Sequence, residues 1–324
     1  MPLLYVLALL NSFLVAKEIY QSIRVYHPNL ETIKTIGSLG IPLDHVSGKE
    51  GIFLDLTVTE GETIELISKG IELDVLIEDL TSYYKARNRP ATNRDFPLGS
   101  MQGNYTLDEL NERFDELHGL FPNIISNRVV IGQSVEGRDI WAFKVSDNPN
   151  VDEDEPEVLY TALTHSREPL GMMNLIYFVQ LLAEEQNSNP ELEYLISNRE
   201  MWFIPVVNPD GYAYNESIEP TGGGMHRKNR LNTNCGNGSN RGVDLNRNYG
   251  FGWGSNDIGS SPNPCSATYR GDVEFSEPET QAVRDFIINH DFNNVLHYHC
   301  YSNIYIHPWG NGSIPEEPDS STLV

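Results

Sequence analysis

The stretch EVLYTALTHSREPLGMMNLIYFVQLLA (157–183) decides the fold class of this chain. It begins with an apolar run typical of a buried strand, passes through the polar turn THSREP (164–169), and continues as an apolar helix. EMWFIPVVNPDG (200–211) predicts another strand, and SEPETQAVRDFIINH (276–290) predicts a helix with a serine cap and a capping-box glutamate. Strands that alternate with helices predict an open α/β sheet, in which functional sites lie beyond the strand ends.

Two residues of the polar turn, His165 and Glu168, have the spacing of metal ligands. If the helix begins here, three-residue spacing on its first turn places an imidazole and a carboxylate on one side. Such a pair holds catalytic zinc when a third ligand comes from elsewhere in the chain and one position stays open for water. The pattern H-x-x-E is common by chance, so the prediction depends on the third ligand.

Two histidines near the end of the sequence compete for the third ligand position. The run NVLHYHCYSNIYIHP (294–308) predicts a further strand that contains both His297 and His299. Side chains two residues apart on a strand point to the same face. Local geometry therefore leaves both histidines open as candidates.

The first ninety residues contain a strand and helix pattern of their own. SIRVYH (22–27), GIFLDLTV (51–58) and IELDVLIED (71–79) predict strands, and helical segments that end at glycine follow the first two. This alternation predicts a compact α/β subdomain at residues 17–89. The basic, proline-containing sequence that follows has no apolar periodicity, so we expect an exposed, protease-sensitive linker at residues 90–99.

The charge balance excludes one class of partner. The 324 residues include 46 acidic and 22 basic side chains, which give a formal net charge of −24. Because a surface this negative repels phosphate backbones, we expect no nucleic acid partner.

The amino-terminal run LLYVLALLNSFLVA (3–16) is short for a membrane-spanning helix. It is similar to the apolar core and cleavage site of a signal peptide, although no basic segment precedes it. We therefore expect a signal peptide at residues 1–16 and a secreted protein, extracellular or periplasmic, with no stable membrane partner. A membrane anchor is the alternative.

The three cysteines suit an oxidising compartment in which two pair and one is left over. Cys235 and Cys265 flank a region rich in glycine, asparagine and serine, which a bridge between them would clamp. Cys300 lies in the last strand-like run, where we expect a buried free thiol. Three unpaired cysteines are the alternative if the chain is not secreted.

Seven segments occur in the order THSRE, NPDGY, MHRKNR, GVDLNRNYGF, CSATYRG, FSEPET and HCYSN. Together they resemble the zinc metallocarboxypeptidase family of the carboxypeptidase A/B type. The resemblance implies a mixed open sheet flanked by helices at residues 100–324, and one Zn²⁺ ion held by His165, Glu168 and His299. It selects His299 over His297 because the family's third ligand directly precedes a hydroxyl residue and a tyrosine; here Cys300 replaces the hydroxyl residue.

The same resemblance implies roles for four polar residues. Arg227 would stabilise the oxyanion of a tetrahedral intermediate, a charge that a guanidinium suits. Asn246 and Arg247 would bind the terminal carboxylate of a peptide or protein substrate, Arg247 in bidentate fashion. Arg167 would contact the peptide further along its length.

The resemblance also makes Cys235 and Cys265 disulfide partners. It makes residues 17–89 an amino-terminal propeptide, which would shield the site until the linker is cut.

One part of the family's machinery has no match in the sequence. The family's general-base glutamate and a tyrosine that closes over the substrate follow the third ligand by several tens of residues. Here Glu316 and Glu317 lie in a proline-rich stretch with no strand pattern. We therefore expect the peptidase domain to be incomplete at its carboxy-terminal end and to have little activity. A deacylase of N-acyl amino acids and a non-catalytic peptide-binding pseudoenzyme are the alternatives.

Overall fold

The computed structural model describes residues 18–43, 46–49, 51–87, 96–236, 238, 240–301 and 305–306. The expected signal peptide, most of the expected linker, and Glu316 and Glu317 lie outside these residues. No helix in the described ranges is long and apolar enough to cross a membrane.

An antiparallel sheet with three helices forms the amino-terminal part, which we call the N-terminal unit. Its strands lie in the order β2-β3-β1-β4. Its elements are β1 (Tyr20–Tyr26), α1 (Leu30–Ser38), β2 (Ser47–Lys49), β3 (Phe53–Thr59), α2 (Glu60–Ser68), β4 (Leu73–Ile77) and α3 (Leu80–Arg87). Alternate residues such as Ile23 and Val25 are buried and pack against Ile36 and Leu66 of the helices. The short edge strand β2 was not predicted, because its sequence Ser-Gly-Lys has no apolar alternation.

A five-stranded mixed sheet forms the larger part of the molecule, in the order β5-β6-β8-β7-β9. Strands β5, β6 and β8 pair antiparallel, whereas β7 runs parallel to both β8 and β9. The elements are α4 (Leu107–Leu120), β5 (Val129–Gln133), β6 (Asp139–Val145), β7 (Glu157–Thr161), α5 (Pro169–Glu185), α6 (Pro190–Ile196), β8 (Glu200–Ile204), α7 (Pro209–Ile218), a 3-10 helix (Leu245–Arg247), α8 (Pro278–Ile288) and β9 (Phe292–His297).

Helices cover both faces of this sheet, which confirms the predicted α/β class. On one face Phe203 of β8 packs in a core with Phe114 of α4 and Leu175 of α5. The next residue, Ile204, points to the opposite face and packs in a core with Val283 of α8. Successive strand residues therefore serve two separate cores.

Several predicted elements have different ends in the structure. Strand β8 stops at Ile204, and the residues NPDG begin helix α7, where the Asn208 side chain accepts a hydrogen bond from Gly211 N. Helix α8 begins at Pro278 without the predicted capping box: the Ser276 hydroxyl donates to Glu277, and Glu279 accepts from Val135 N. These polar groups have distant partners that a local pattern does not reveal.

Candidate metal centre

Three potential metal ligands meet at the carboxyl ends of neighbouring parallel strands. His165 and Glu168 follow β7, and His299 follows β9. The ladder between the strands continues for one more bond, from Tyr298 N to Thr161 O at 2.8 Å, which brings the two loops together. Helix α5 begins at Pro169, so the predicted placement of the first pair on a helical turn is wrong. His165 and Glu168 lie in a tight turn closed by a hydrogen bond from Glu168 N to His165 O. The helix begins one residue later because proline is favoured at the first helical position.

The donor atoms of these residues form a compact set. The Glu168 carboxylate lies between the imidazoles, with Oε1 2.8 Å from His165 Nδ1 and Oε2 2.9 Å from His299 Nδ1. The two Nδ1 atoms are 3.2 Å apart. Zinc bonds to nitrogen and oxygen in a tetrahedral site place neighbouring donor atoms about 3.3 Å apart. His165 and Glu168 are buried and His299 is partly exposed, so the residues fit a zinc ion with one accessible side.

His297 occupies a different position from His299. Its Nδ1 lies 2.7 Å from the Thr161 hydroxyl, and its ring lines a cavity of about 90 Å³ together with His299 and Asn246. In the described ranges, the one group of His, Cys, Asp or Glu residues arranged to hold a metal is His165, Glu168 and His299.

A buried arginine and a buried aspartate contact the two ring nitrogens of His165. Arg227 places Nη1 3.4 Å from His165 Nδ1 and donates from Nη2 and Nε to Asp244 Oδ2, at 2.8 and 3.1 Å. The other oxygen of Asp244 is 3.2 Å from His165 Nε2. Burial alone would raise the pKa of Asp244, but Arg227 and His165 hold it well below its usual range. An ionised Asp244 favours the tautomer that carries a proton on Nε2, which leaves the Nδ1 lone pair for a metal.

Asp244 was missed at the level of sequence. It lies in the segment GVDLNRNYGF, but its partners Arg227 and His165 are 17 and 79 residues away. No local spacing connects these three residues. The one sequence feature that could have indicated Asp244 is an acidic residue within a segment predicted to bind the substrate carboxylate.

The predicted carboxylate-binding residues lie on one side of the centre. Asn246 and Arg247 are part of the 3-10 helix, and both are half-buried. Arg247 donates from Nε to Gly259 O at 2.6 Å and from Nη1 to Asn246 O at 3.0 Å. Arg167 is also half-buried. Burial raises the pKa of Tyr20 and of Glu62, and the positive charge of Arg167 partly offsets that rise. Arg167 therefore lies beside the N-terminal unit.

Cys235 and Cys265 form a disulfide, which closes the loop between these two residues. Buried Lys228 donates to Asn240 O within this loop and to Ser266 O directly after it, at 2.7 Å in both cases. Burial lowers the pKa of Lys228 to about 8.

Cys300 is a free thiol, but it is partly exposed and lies beyond the end of β9. The predicted burial within a strand is therefore wrong. Its backbone N donates to Glu168 Oε2 at 3.1 Å, so this position supports the metal centre through the main chain.

Sequence comparison identifies a family and several relatives. Residues 110–323 match the family model described as zinc carboxypeptidase. Carboxypeptidase A1 of Rattus norvegicus is 30% identical over 263 residues, which cover 78% of this chain and 59% of the rat protein. A zinc carboxypeptidase of Saccharothrix mutabilis subsp. capreolus is 38% identical over 164 residues, which cover 50% of this chain and 35% of that protein. The chain thus spans less than two thirds of the length of these two relatives.

Structure comparison gives the same result. The crystal structure of carboxypeptidase A from Helicoverpa armigera matches with a TM-score of 0.76 and 25% identity, and the match covers 94% of this chain and 75% of that one. The crystal structure of thrombin activatable fibrinolysis inhibitor matches with a TM-score of 0.69 at 20% identity, and covers 92% of this chain and 76% of that one. The second match bears on the fold alone.

Proposed function

The chain belongs to the zinc carboxypeptidase family, and we propose on this premise that it serves the zinc-dependent removal of carboxy-terminal residues from peptides and proteins. The observation that carries the proposal is the grouping of His165, Glu168 and His299 at adjoining strand ends, with the Arg227 guanidinium in contact with His165. This places a candidate metal site and a fixed cation side by side, an arrangement suited to metal-assisted hydrolysis of a peptide bond.

The three ligands would hold Zn²⁺ through the two Nδ1 atoms and the Glu168 carboxylate. Bound zinc supplies a Lewis acid for the carbonyl group and lowers the pKa of a bound water molecule. Asp244 keeps His165 oriented through its contact with Nε2. Because the ligands are buried on one side and accessible at His299, a peptide would approach from the His299 side.

Arg227 is suited to receive the charge that develops on the carbonyl oxygen. It is 3% exposed, so its charge is little screened by water. Its Nε and Nη2 are held by Asp244, while Nη1 faces the metal ligands. A cation held in advance stabilises an oxyanion without reorganisation during the reaction.

Asn246 and Arg247 would bind the terminal carboxylate of the substrate. Asn246 lines the cavity next to His299, which is where the end of a bound peptide would lie. The guanidinium of Arg247 donates to backbone carbonyls, and a substrate carboxylate would be a stronger acceptor for the same donors.

We further propose that residues 17–89 are a propeptide that restricts access to the site. Two contacts support this. The hydroxyls of Thr57 in β3 and Tyr301 are 3.0 Å apart, and Tyr301 follows the ligand His299 by two residues. Arg167, between the other two ligands in sequence, lies beside the N-terminal unit as described above.

A third contact lies at the end of α1. Gly40 has a φ of +80°, and a Cβ atom there would lie 2.5 Å from the Ser266 hydroxyl. A Cβ atom on Gly37 would lie 3.6 Å from the backbone N of Gly259, whose carbonyl accepts from Arg247. The N-terminal unit thus contacts the loop at Gly259, whose carbonyl accepts a hydrogen bond from the proposed substrate-binding residue Arg247. Cutting in the linker at residues 90–99 would remove the covalent tether and allow the N-terminal unit to dissociate from this loop.

We also propose that the protein is secreted. The disulfide between Cys235 and Cys265 supports this, because such bonds persist mainly in oxidising compartments.

The test of the metal site is a zinc competition titration against a fluorescent chelator, with His299→Ala and the matched variant His297→Ala. Loss of His299 should weaken zinc binding by more than the roughly 10- to 100-fold cost of losing a residue that only supports a ligand. Loss of His297, whose Nδ1 pairs with the Thr161 hydroxyl, should cost less than this roughly 10- to 100-fold factor. The reverse ranking would overturn the proposed ligand set.

The test of the substrate class is binding of a blocked dipeptide to the zinc-loaded chain. The control ligand is the same dipeptide with its terminal carboxylate converted to an amide. We expect the carboxylate to bind at least about tenfold more tightly, because charge-assisted bonds to Arg247 are lost in the amide. Equal binding of the two would overturn carboxylate recognition by Arg247, and cleavage of N-acyl amino acids in preference to blocked dipeptides would point to the deacylase alternative.

A further inference from the structure

The segments that carry His165 and Arg227 lie side by side without belonging to the sheet. Ser166 N donates to Arg227 O at 3.1 Å, and the Ser166 hydroxyl donates to His226 O at 2.7 Å. This alignment places His165 opposite Arg227. The side chains of that central pair meet at the 3.4 Å contact between Arg227 Nη1 and His165 Nδ1.

Asn215 in α7 bridges the two segments on one side of this pair. Its side chain is 1% exposed. Nδ2 donates to Ser166 O and to His226 O, and Oδ1 accepts from His226 N, all at 2.9 Å. The amide thus uses both of its donor hydrogens and its acceptor on the backbones of the two segments.

Asn208, at the start of the same helix, bridges the segments on the other side. It is fully buried, and its Nδ2 lies 3.3 Å from Thr164 O and 3.0 Å from Lys228 O. Its Oδ1 accepts from Gly211 N, which ties it to the first turn of α7. The two asparagines therefore clamp the facing residues on both sides of His165 and Arg227.

Glycines allow this close approach. A Cβ atom on Gly224 would lie 2.6 Å from Asn215 Oδ1, and one on Gly211 would lie 2.5 Å from the Ser166 hydroxyl. Both distances are too short for a residue with a side chain, unless the backbone or the contacted side chain, Asn215 or Ser166, moves.

We propose that Asn208 and Asn215 are positioning residues that set the distance between the ligand His165 and the oxyanion-binding Arg227. They fix the two backbones to one rigid helix, so the metal and the cation keep a constant separation. The inference rests on the proposed function, since it assigns these amides a part in the same site. It predicts that their loss affects an anionic tetrahedral ligand far more than an ordinary substrate.

The experiment compares Asn215→Ala with Ile196→Ala in the zinc-loaded chain. Ile196 is 2% exposed and ends α6, so its truncation destabilises the fold without touching either segment. The two ligands are a dipeptide phosphonate, which carries anionic oxygens at the reacting position, and the matched blocked dipeptide. Urea unfolding gives the folded fraction of each variant, and zinc affinity is measured separately by chelator competition.

We expect Asn215→Ala to weaken phosphonate binding about 10- to 100-fold and dipeptide binding less than about threefold, because misplacing a charged group by about 1 Å costs on this order. Ile196→Ala should change both affinities by the same small factor. Gly224→Ala displaces Asn215 without deleting its amide, and should show the same selective loss; it serves if Asn215→Ala does not fold.

Equal losses for the two ligands in both Asn215→Ala and Gly224→Ala would overturn the inference, because a merely structural role does not distinguish them. Failure of the unmodified chain to bind zinc or either ligand would instead reject the proposed function. The two failures are therefore separate observations.

Discussion

Substitution of Asp244 by asparagine tests the electrostatic frame of the metal centre. Asp244 is fully buried and pairs with Arg227 at 2.8 Å, and its other oxygen faces His165 Nε2 at 3.2 Å. Asparagine keeps the shape but removes the charge. It leaves the guanidinium of Arg227, itself 3% exposed, without the anion that compensates it.

The expected magnitude follows from these contacts. Removing one partner of a buried ion pair costs about 3–5 kcal/mol of stability. Loss of a carboxylate that orients a metal-bound histidine weakens metal affinity about 10- to 100-fold, which corresponds to about 1.4–2.8 kcal/mol. Because the pKa of Asp244 is lowered, the stabilisation is present above the usual aspartate pKa and is lost as pH falls through the folded-state value.

The assay is urea unfolding of Asp244→Asn without metal, followed by zinc titration against a chelator. The matched control is Asp257→Asn, which makes the same change in an ion pair of the same 2.8 Å length with Arg270. Asp257 is 68% exposed, so its loss should cost less than about 1 kcal/mol. If Asp244→Asn costs no more than Asp257→Asn and binds zinc as tightly as the unmodified chain, the reasoning is refuted.

Three further outcomes are expected. Burial raises the pKa of Glu279 to about 7, so the stability that this carboxyl contributes is complete below about pH 4.5 and is lost as pH rises through 7. In urea unfolding across pH 4.5–8, Glu279→Gln should remove about 3 kcal/mol of this decline in stability. An unchanged dependence of stability on pH would count against the prediction. The double change Cys235→Ser and Cys265→Ser opens a loop of 30 residues and should cost about 3–4 kcal/mol; a loss below about 1 kcal/mol in the same measurement would contradict this. Gly40→Ala should lower the unfolding midpoint more than Gly70→Ala, which has a similar φ of +79° but no atom within 4 Å, and equal effects would show that the contact with the larger part is unimportant.

The fold class could be predicted, and the residues that the structure groups as a candidate metal site could be named, because their signals are local or belong to sequence motifs. The apolar run before His165 predicts a strand, and the helix that follows predicts an α/β sheet with its site at the strand end. The choice of His299 needed the family resemblance. In the structure it corresponds to a clear difference, since His297 contacts Thr161 and His299 contacts Glu168.

The residues that support the site could not be predicted in this way. Asp244 is linked to Arg227 and His165 only through the folded chain. Asn208 lies in a run that the sequence assigns to a strand, whereas the structure makes it the cap of α7. A buried polar side chain needs hydrogen-bond partners, and here these are distant in sequence. Apolar periodicity contains no information about such partners.

The parallel pairing of β7 with β9 links the metal to the topology of the chain. His165 and His299 are 134 residues apart, and they can meet only after β9 has joined the sheet next to β7. A partly folded chain in which β9 is absent from the sheet offers only His165 and Glu168. With the proposed ligand set, full zinc affinity would therefore be a signature of completed strand assembly. Each tenfold rise of free zinc above the dissociation constant would add about 1.4 kcal/mol to the stability of the assembled sheet, so zinc would stabilise the state in which β9 is paired with β7.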